Sequence, residues 1–207
     1  MNSYTTAAEH FNTTFTERRS EFISDIASAE SVEAAVAFIE QIKSAHKKAS
    51  HVVYAYNIRG NYAKFSDAGE PSGTAGKPVF DVLVENNLTD VVLTVTRYFG
   101  GVLLGAGGLT RAYARAAADA CKRVKRREFV PAVPVEVTLP YNLYGKVNLS
   151  LAANQAVRMF EPLFTDNVTV KFNVLTEKLA ETLSNITEIT NGQCKFVEYD
   201  EIYADFA

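Results

Sequence analysis

A glycine-rich stretch near the middle of the chain has the residue types of an anion-binding site. Residues 97–113 read RYFGGVLLGAGGLTRAY, and the pattern predicts that a helix begins within this stretch. The start of a helix offers unpaired N–H groups and a partial positive charge, and glycines let an anion approach the backbone closely. We therefore predict an anion or ligand site here, to which a second loop adds one lysine: Arg97, Gly100, Gly101, Gly105, Gly107, Gly108, Arg111, Arg115 and Lys77.

A second interpretation of these glycines stays open. The same spacing is typical of a tight strand-to-helix connection, in which the glycines only permit the turn and the arginines, Arg111 and Arg115 on one helix face, point to water. Two common nucleotide motifs are absent, because the third glycine of GxGxxG would fall at Thr110 and Gly76-Lys77 is followed by Pro78 instead of Ser or Thr. We expect neither a dinucleotide site nor a P-loop, and no cofactor is predicted.

The loop at residues 67–78, DAGEPSGTAGKP, is the second candidate region. Its side chains could provide an acid, a base and hydroxyl ligands around a substrate, and the candidates are Asp67, Glu70, Ser72 and Thr74. The alternative is a structured loop whose carboxylates and hydroxyls cap its own backbone. Three histidines and two cysteines without zinc-site spacing predict no metal site, and the catalytic residues stay unknown.

The distribution of charge places any polyanion-binding face in the first part of the chain. The net charge is −3, but residues 1–130 carry 16 Lys and Arg against 14 Asp and Glu, whereas residues 131–207 carry 5 against 10. A polyanion is attracted by the first part and repelled by the second. Tyr98 and Phe99, directly after Arg97, could stack on a nucleobase if they are exposed.

No segment of the sequence has the pattern of a membrane anchor or of a secretion signal. No apolar run reaches the length of a membrane helix, about 18 residues. The first residues, MNSYTTAAEHFNTTF, lack the apolar core of a signal peptide. We therefore expect no membrane partner and a cytoplasmic location.

The elements that must position these residues are alternating strands and helices. In the first part, periodicity and β-branched runs predict strands at 22–31, 50–58, 61–66 and 90–98, and helices at 32–48, 79–87 and 109–124, the first of them capped by Ser31. The run DVVLTVTRY at residues 90–98 is typical of a central strand buried on both faces.

A break is predicted at residues 125–134, KRREFVPAVP, where a basic run meets two prolines. Beyond it the pattern predicts strands at 135–139, 157–164, 167–175 and 195–203, with helices at 143–154 and 176–190. This β-α-β-β-α-β order is ferredoxin-like. The predicted class is α+β, with two domains at residues 1–130 and 131–207.

Three motifs in this order resemble the signature of the IMPACT family, in its bacterial YigZ-type branch. They are HKKASHVVYAY at 46–56, SDAGEPSGTAGKP at 66–78 and TRYFGGVLLGAGGLTRAY at 96–113. The resemblance implies an N-terminal domain of the ribosomal-protein type, a fold shared with parts of elongation factor G and with GHMP kinases. It also implies a C-terminal domain similar to the last domain of elongation factor G. The family usually has an Asp where Ala68 stands, an Asn-Cys pair where Val52 and Val53 stand, and a Lys where Leu103 stands.

The resemblance also implies a role in translation. Eukaryotic relatives regulate translation under amino-acid stress through protein partners, and nucleic-acid or ribosome binding is the usual proposal for the bacterial ones. The resemblance implies a translation-associated regulatory protein, a binding module in preference to an enzyme, whose N-terminal domain binds RNA, the ribosome or a translation factor. Two alternatives stay open, a phosphate- or nucleotide-handling enzyme that uses the glycine loop and a protein-interaction adaptor with a docking surface on the acidic C-terminal domain.

Overall fold

The structure, a computed structural model, describes residues 2–206. The chain divides into two compact units, Tyr4–Arg127 and residues 2–3 with 128–206. Both units combine helices and strands, which confirms the predicted α+β class. The predicted domain limits, 1–130 and 131–207, stay a prediction.

The first unit is an antiparallel five-stranded sheet covered by helices on both faces. The strand order is β2-β3-β6-β4-β5. Two helices, α2 and α3, share a core with one face of the sheet, and α1 packs on the other face. The elements of this unit are β1 (Tyr4–Ala7), β2 (Phe11–Glu17), β3 (Ser20–Ser28), α1 (Val32–Ala45), β4 (His51–Ile58), β5 (Tyr62–Ser66), α2 (Gly76–Glu85), β6 (Val91–Tyr98) and α3 (Ala106–Arg123).

The central strand β6 explains why the sequence there is an unbroken β-branched run. Seven of its eight residues are buried. Leu93 and Val95 belong to the core beneath α2 and α3, whereas Val92 belongs to the core beneath α1. Both faces of the strand therefore need apolar side chains, and the prediction of a central strand buried on both sides is confirmed.

The start of α1 also follows the prediction. The Ser31 hydroxyl oxygen accepts a hydrogen bond from the Ala34 N–H at 3.1 Å, which satisfies one of the free donors at the helix start. Ala35, Ile39 and Ile42 form the buried stripe of the helix.

The second unit has the ferredoxin-like topology, as predicted. Its central strand β7 pairs antiparallel with β10 on one side and with β11 and β12 on the other, and β10 in turn pairs with β8 and β9. Helices α4 and α5 contribute to one core with this sheet. The elements are β7 (Arg126–Leu139), α4 (Tyr141–Ala152), β8 (Val157–Met159), β9 (Leu163–Phe164), β10 (Val168–Leu175), a 3-10 turn (Thr176–Lys178), α5 (Leu179–Thr190), β11 (Lys195–Glu198) and β12 (Ile202–Ala204).

The interruption of regular structure expected at residues 125–134 is absent, because β7 runs continuously from Arg126 to Leu139, although the two compact units divide within this range, between Arg127 and Glu128. Pro131 lies opposite Tyr203 and Pro134 lies opposite Asn173. A proline removes only its own N–H donor from the ladder, and its carbonyl still accepts. Pro134 shows this, since its carbonyl oxygen accepts the Tyr199 N–H at 3.1 Å.

Each unit contains one free cysteine. Cys121 of α3 is fully buried in the first core, and burial raises the pKa of its thiol to about 12. Cys194 is half-buried in the second unit and packs against the second core.

Candidate functional site

A buried charge cluster lies behind the glycine-rich stretch. The Arg97 side chain, at the end of β6, is 6% exposed, and its Nη1 donates to Glu70 Oε1 at 2.8 Å. The Tyr113 hydroxyl of α3 donates to the same oxygen at 2.7 Å. Burial, and then the hydrogen bond to the Glu70 carboxylate, raise the pKa of Tyr113 far above its usual range. The charge of Arg97 is therefore matched inside the protein by Glu70.

His51 completes this cluster on the side of the loop. Its Nδ1 lies 2.9 Å from the carbonyl oxygen of Ala68, and because a carbonyl only accepts, Nδ1 carries the hydrogen. Its Nε2 lies 3.9 Å from Glu70 Oε1. His51, Glu70, Arg97 and Tyr113 are far apart in the sequence, so no local pattern indicates that they meet.

The loop between β5 and α2 uses most of its polar side chains to hold its own backbone. The Asp67 carboxylate accepts the N–H groups of Gly73 at 2.9 Å, Ala75 at 3.0 Å and Gly76 at 2.8 Å. Burial alone would raise the pKa of Asp67, but these three hydrogen bonds outweigh it, and the pKa is lowered below its usual value. The Thr74 hydroxyl donates to the Pro71 carbonyl at 2.6 Å.

These contacts favour the interpretation of residues 67–78 as a self-capping loop. Glu70 accepts hydrogen bonds within the buried cluster, whereas Asp67 and Thr74 form hydrogen bonds with the backbone of the loop itself. Among the four loop candidates, Ser72 is exposed.

Three of the predicted site glycines, Gly100, Gly101 and Gly105, have a backbone reason to be glycine, since Gly101 has a φ of 83°. A Cβ at Gly100 would lie 1.9 Å from the carbonyl oxygen of Arg19, so any side chain would clash with that backbone. Gly105, the residue before α3, has a φ of 69°, which favours glycine. Gly101 is exposed in the same loop, and Gly107 and Gly108 lie in the first turn of α3. The structure thus gives the glycines a role in the strand-to-helix connection.

Beside this connection lies an open groove rich in arginine. It has a volume of about 260 Å³ and lies between the β2–β3 turn and the first half of α3. Its charged lining residues are three arginines, all exposed, and one glutamate. The full lining is Phe15, Glu17, Arg18, Leu104, Gly108, Arg111, Ala112 and Arg115.

The positive charge continues along α3 beyond the groove. The Arg115 guanidinium lies 4.5 Å from the centre of the Phe15 ring, and its nitrogens lie 3.9 Å from Glu17 and 3.8 Å from Asp119. Arg123 lies 5.2 Å from the centre of the Phe11 ring. We refer to Arg18, Arg111, Arg115 and Arg123 as the arginine row.

The arginine row contains two of the predicted cations and leaves out the other two. Arg111 and Arg115 lie together as their four-residue spacing predicts. Arg97 is excluded because it is buried, and Lys77 pairs with Asp81 one turn further along α2. Arg18 was missed, although the pair Arg18-Arg19 in a turn was the available signal.

The second unit exposes a separate apolar patch. Its five large side chains are each between 49% and 73% exposed, and we name them the aromatic patch: Tyr141, Leu149, Phe160, Leu163 and Phe164. The rings of Tyr141 and Phe164 stack with their centres 6.2 Å apart.

Two kinds of feature are absent from residues 2–206. No helix in this part of the chain is long and apolar enough to cross a membrane. No group of three or more His, Cys, Asp or Glu side chains within it is placed to hold a metal ion.

Comparison with known proteins matches both parts of the chain. Residues 18–121 match the family described as Impact N-terminal domain, and residues 137–193 match a domain of unknown function, DUF1949. The chain is 34% identical over 210 residues to the "IMPACT family member YvyE" of Bacillus subtilis. This alignment covers 100% of this chain and 96% of that protein.

Two other comparisons extend this result. Over 189 residues the chain is 28% identical to the "IMPACT family member YigZ" of Escherichia coli, covering 89% of this chain and 92% of that protein. A solved structure described as "Crystal structure of an hypothetical protein" superposes with a TM-score of 0.64 at 26% identity, over 97% of this chain and 98% of that chain.

Proposed function

The chain belongs to the IMPACT family, and from this premise and the arginine row we propose that it is a translation-associated regulatory protein that binds RNA of the ribosome through its N-terminal unit. The observation that carries the proposal is the open groove in which Arg18, Arg111 and Arg115 stand against one glutamate. Exposed arginines on one face bind phosphates without reading sequence.

The geometry of the arginine row supports a chain of phosphates as the ligand. Arg111, Arg115 and Arg123 extend over 12 residues of α3, which corresponds to about 18 Å along the helix axis. Two of these guanidinium groups lie against the rings of Phe15 and Phe11 on the edge strand. Because packing limits their motion, less conformational entropy is lost when they bind phosphate.

The enzyme alternative receives less support. Thr110, the only hydroxyl residue near the start of α3, donates its hydroxyl to the Ala106 carbonyl at 3.1 Å. Lys77 is paired with Asp81, and Arg97 is buried with Glu70. The groups that would have to hold a nucleotide phosphate on the glycine loop are thus engaged within the protein.

A protein-interaction adaptor is the second candidate function. The aromatic patch of the second unit favours it, since exposed apolar side chains that cluster commonly mark interaction sites, and the Tyr141 and Phe164 rings of this patch stack on each other. Glu161 and Asp166 are exposed in the same segment as Phe160 and Phe164, so a partner with basic side chains is expected.

The experiment that tests RNA binding is co-sedimentation of the full-length protein with ribosomes, together with RNA affinity measured at increasing salt. Arg111→Ala with Arg115→Ala should lower the magnitude of the slope of log K against log salt by about 1.5, since each phosphate contact adds about 0.7 to 0.9. Lys47→Ala with Lys48→Ala removes the same charge from the exposed turn after α1 and should leave the slope unchanged. Equal slopes for the arginine variant and the wild type would contradict the proposal.

A further inference from the structure

The loop between β6 and α3, residues 99–105, exposes apolar side chains. Leu103 is 80% exposed, Phe99 48% and Val102 37%. Gly101 and Gly105 both have positive φ, so the backbone turns sharply on either side of Val102 and Leu103. We refer to Phe99, Val102 and Leu103 as the loop tip. When an apolar surface covers exposed leucine and phenylalanine side chains on a short loop, the free energy of the system falls.

The loop tip borders the arginine groove. At one end of the loop, Gly100 lies against the backbone of Arg19, next to Arg18. At the other end, Leu104 contacts Gly108 of α3, and both line the groove with Arg111. Apolar and cationic groups therefore stand side by side on one edge of the first unit.

We propose that the N-terminal unit selects unpaired RNA, whose bases contact Phe99, Val102 and Leu103 while Arg18, Arg111 and Arg115 hold the phosphates. This inference rests on the proposed RNA-binding function and adds the class of RNA. In an A-form duplex the bases are stacked inside and present mainly phosphates and 2′-hydroxyls, so the loop tip has nothing apolar to cover it. Unpaired bases expose their faces, and stacking on an aromatic side chain is tolerant of sequence.

Charge complementarity favours RNA over a protein as the occupant of this edge. The groove next to the loop tip presents three arginines and a single glutamate. An apolar protein surface would match the loop tip but would leave Arg18 and Arg111 without an anionic partner, whereas a nucleic acid strand provides base faces and phosphates in regular alternation.

The experiment compares the affinity of the full-length protein for an unstructured RNA of about 12 nucleotides, within the usual range of single-strand sites, and for the same strand paired with its complement in a blunt-ended duplex. The wild type should bind the single strand more tightly, although the duplex has more phosphates. Phe99→Ala with Leu103→Ser should weaken single-strand binding about tenfold, because stacking and apolar contacts of two side chains are lost, and should leave duplex binding unchanged. Val197→Ser, an apolar side chain of the second unit that is 51% exposed and belongs to neither proposed surface, should change neither affinity.

The outcomes separate this inference from the function on which it rests. Equal wild-type affinity for both RNAs, unaffected by the loop-tip substitutions, would overturn the inference and leave RNA binding standing. If the wild type bound neither RNA, both would be overturned. Retention of the protein on anionic phospholipid vesicles but not on RNA would assign the loop tip to a membrane surface and would overturn it as well. Circular dichroism spectra that match the wild type establish that the variants are folded.

Discussion

Glu70 is the residue on which the glycine-rich region depends most. One carboxylate oxygen accepts from Arg97 and from Tyr113, so the loop, β6 and α3 meet at a single atom. Breaking a buried ion pair by removing one partner leaves the other charge buried without compensation, and the cost usually exceeds the net value of the intact pair.

We expect Arg97→Met to lower the free energy of unfolding by about 3 to 5 kcal/mol, because it leaves Glu70 charged and buried. Arg97→Met with Glu70→Gln should cost clearly less than the sum of the two single changes. Urea denaturation of the four proteins in this cycle measures both quantities. Additive effects would mean that the two side chains do not form the buried pair described above.

Because of Asp67, we expect the stability of the first unit to fall at low pH. The pKa of Asp67 is lower in the folded chain than its usual value of 3.8, so its contribution is complete above about pH 5, where the unfolded carboxyl is ionised as well, and is lost as the pH falls through the lowered pKa. The difference in free energy of unfolding between wild type and Asp67→Asn should therefore shrink as the pH is lowered from about 5 to 2. Denaturant unfolding at several pH values measures it, and a difference independent of pH would refute this role.

At the scale of elements, local signals predict some helix and strand positions well. β6 is continuously apolar because it is buried on both faces, and Ser31 caps α1 through its own hydroxyl, so both follow from neighbouring residues. The β-α-β-β-α-β order of the second unit follows in the same way. The start of α2 at Gly76 does not, because the carboxylate that accepts its first N–H groups belongs to Asp67, nine residues upstream.

The candidate site was only partly predictable for a related reason. Arg111 and Arg115 lie on one face of α3 because they are four residues apart, and this spacing can be read from the sequence. The burial of Arg97 depends on Glu70, 27 residues away, and the approach of Gly100 to Arg19 depends on strand pairing between β3 and β6. β7 passes through two prolines, and its register places the carbonyl of Pro134 where it accepts the Tyr199 N–H, which composition alone does not show.

The cap of α1 gives a prediction for an element as a whole. Ser31→Ala should lower the free energy of unfolding by about 1 kcal/mol, since the Ala34 N–H loses its acceptor. Ser44→Ala, an exposed position inside the same helix, is the matched control and should be neutral or stabilising by up to about 0.5 kcal/mol. Chemical denaturation measures both, and equal losses would mean that the Ser31 hydroxyl does not act as a cap.

At the scale of the whole molecule, charge separates the two parts of the chain. Residues 131–207 carry 10 acidic against 5 basic side chains, and the arginine row lies entirely in the first unit. Residues 1–127 expressed alone should keep the RNA affinity of the full chain, whereas residues 128–207, which contain nearly all of β7, should bind RNA only weakly, because a net negative surface repels phosphates. Filter binding at low salt distinguishes the two fragments, and tight binding by the acidic fragment would contradict this division.

The two cysteines give the molecule an internal reporter for each unit. Cys121 is sealed in the first core with the pKa of its thiol raised to about 12, so it can be alkylated only when that core opens. Cys194, half-buried in the second unit, needs a smaller opening. The rates at which a maleimide labels the two thiols in the native protein therefore report the opening of each unit separately. Bound RNA that stabilises the first unit will slow the labelling of Cys121 alone.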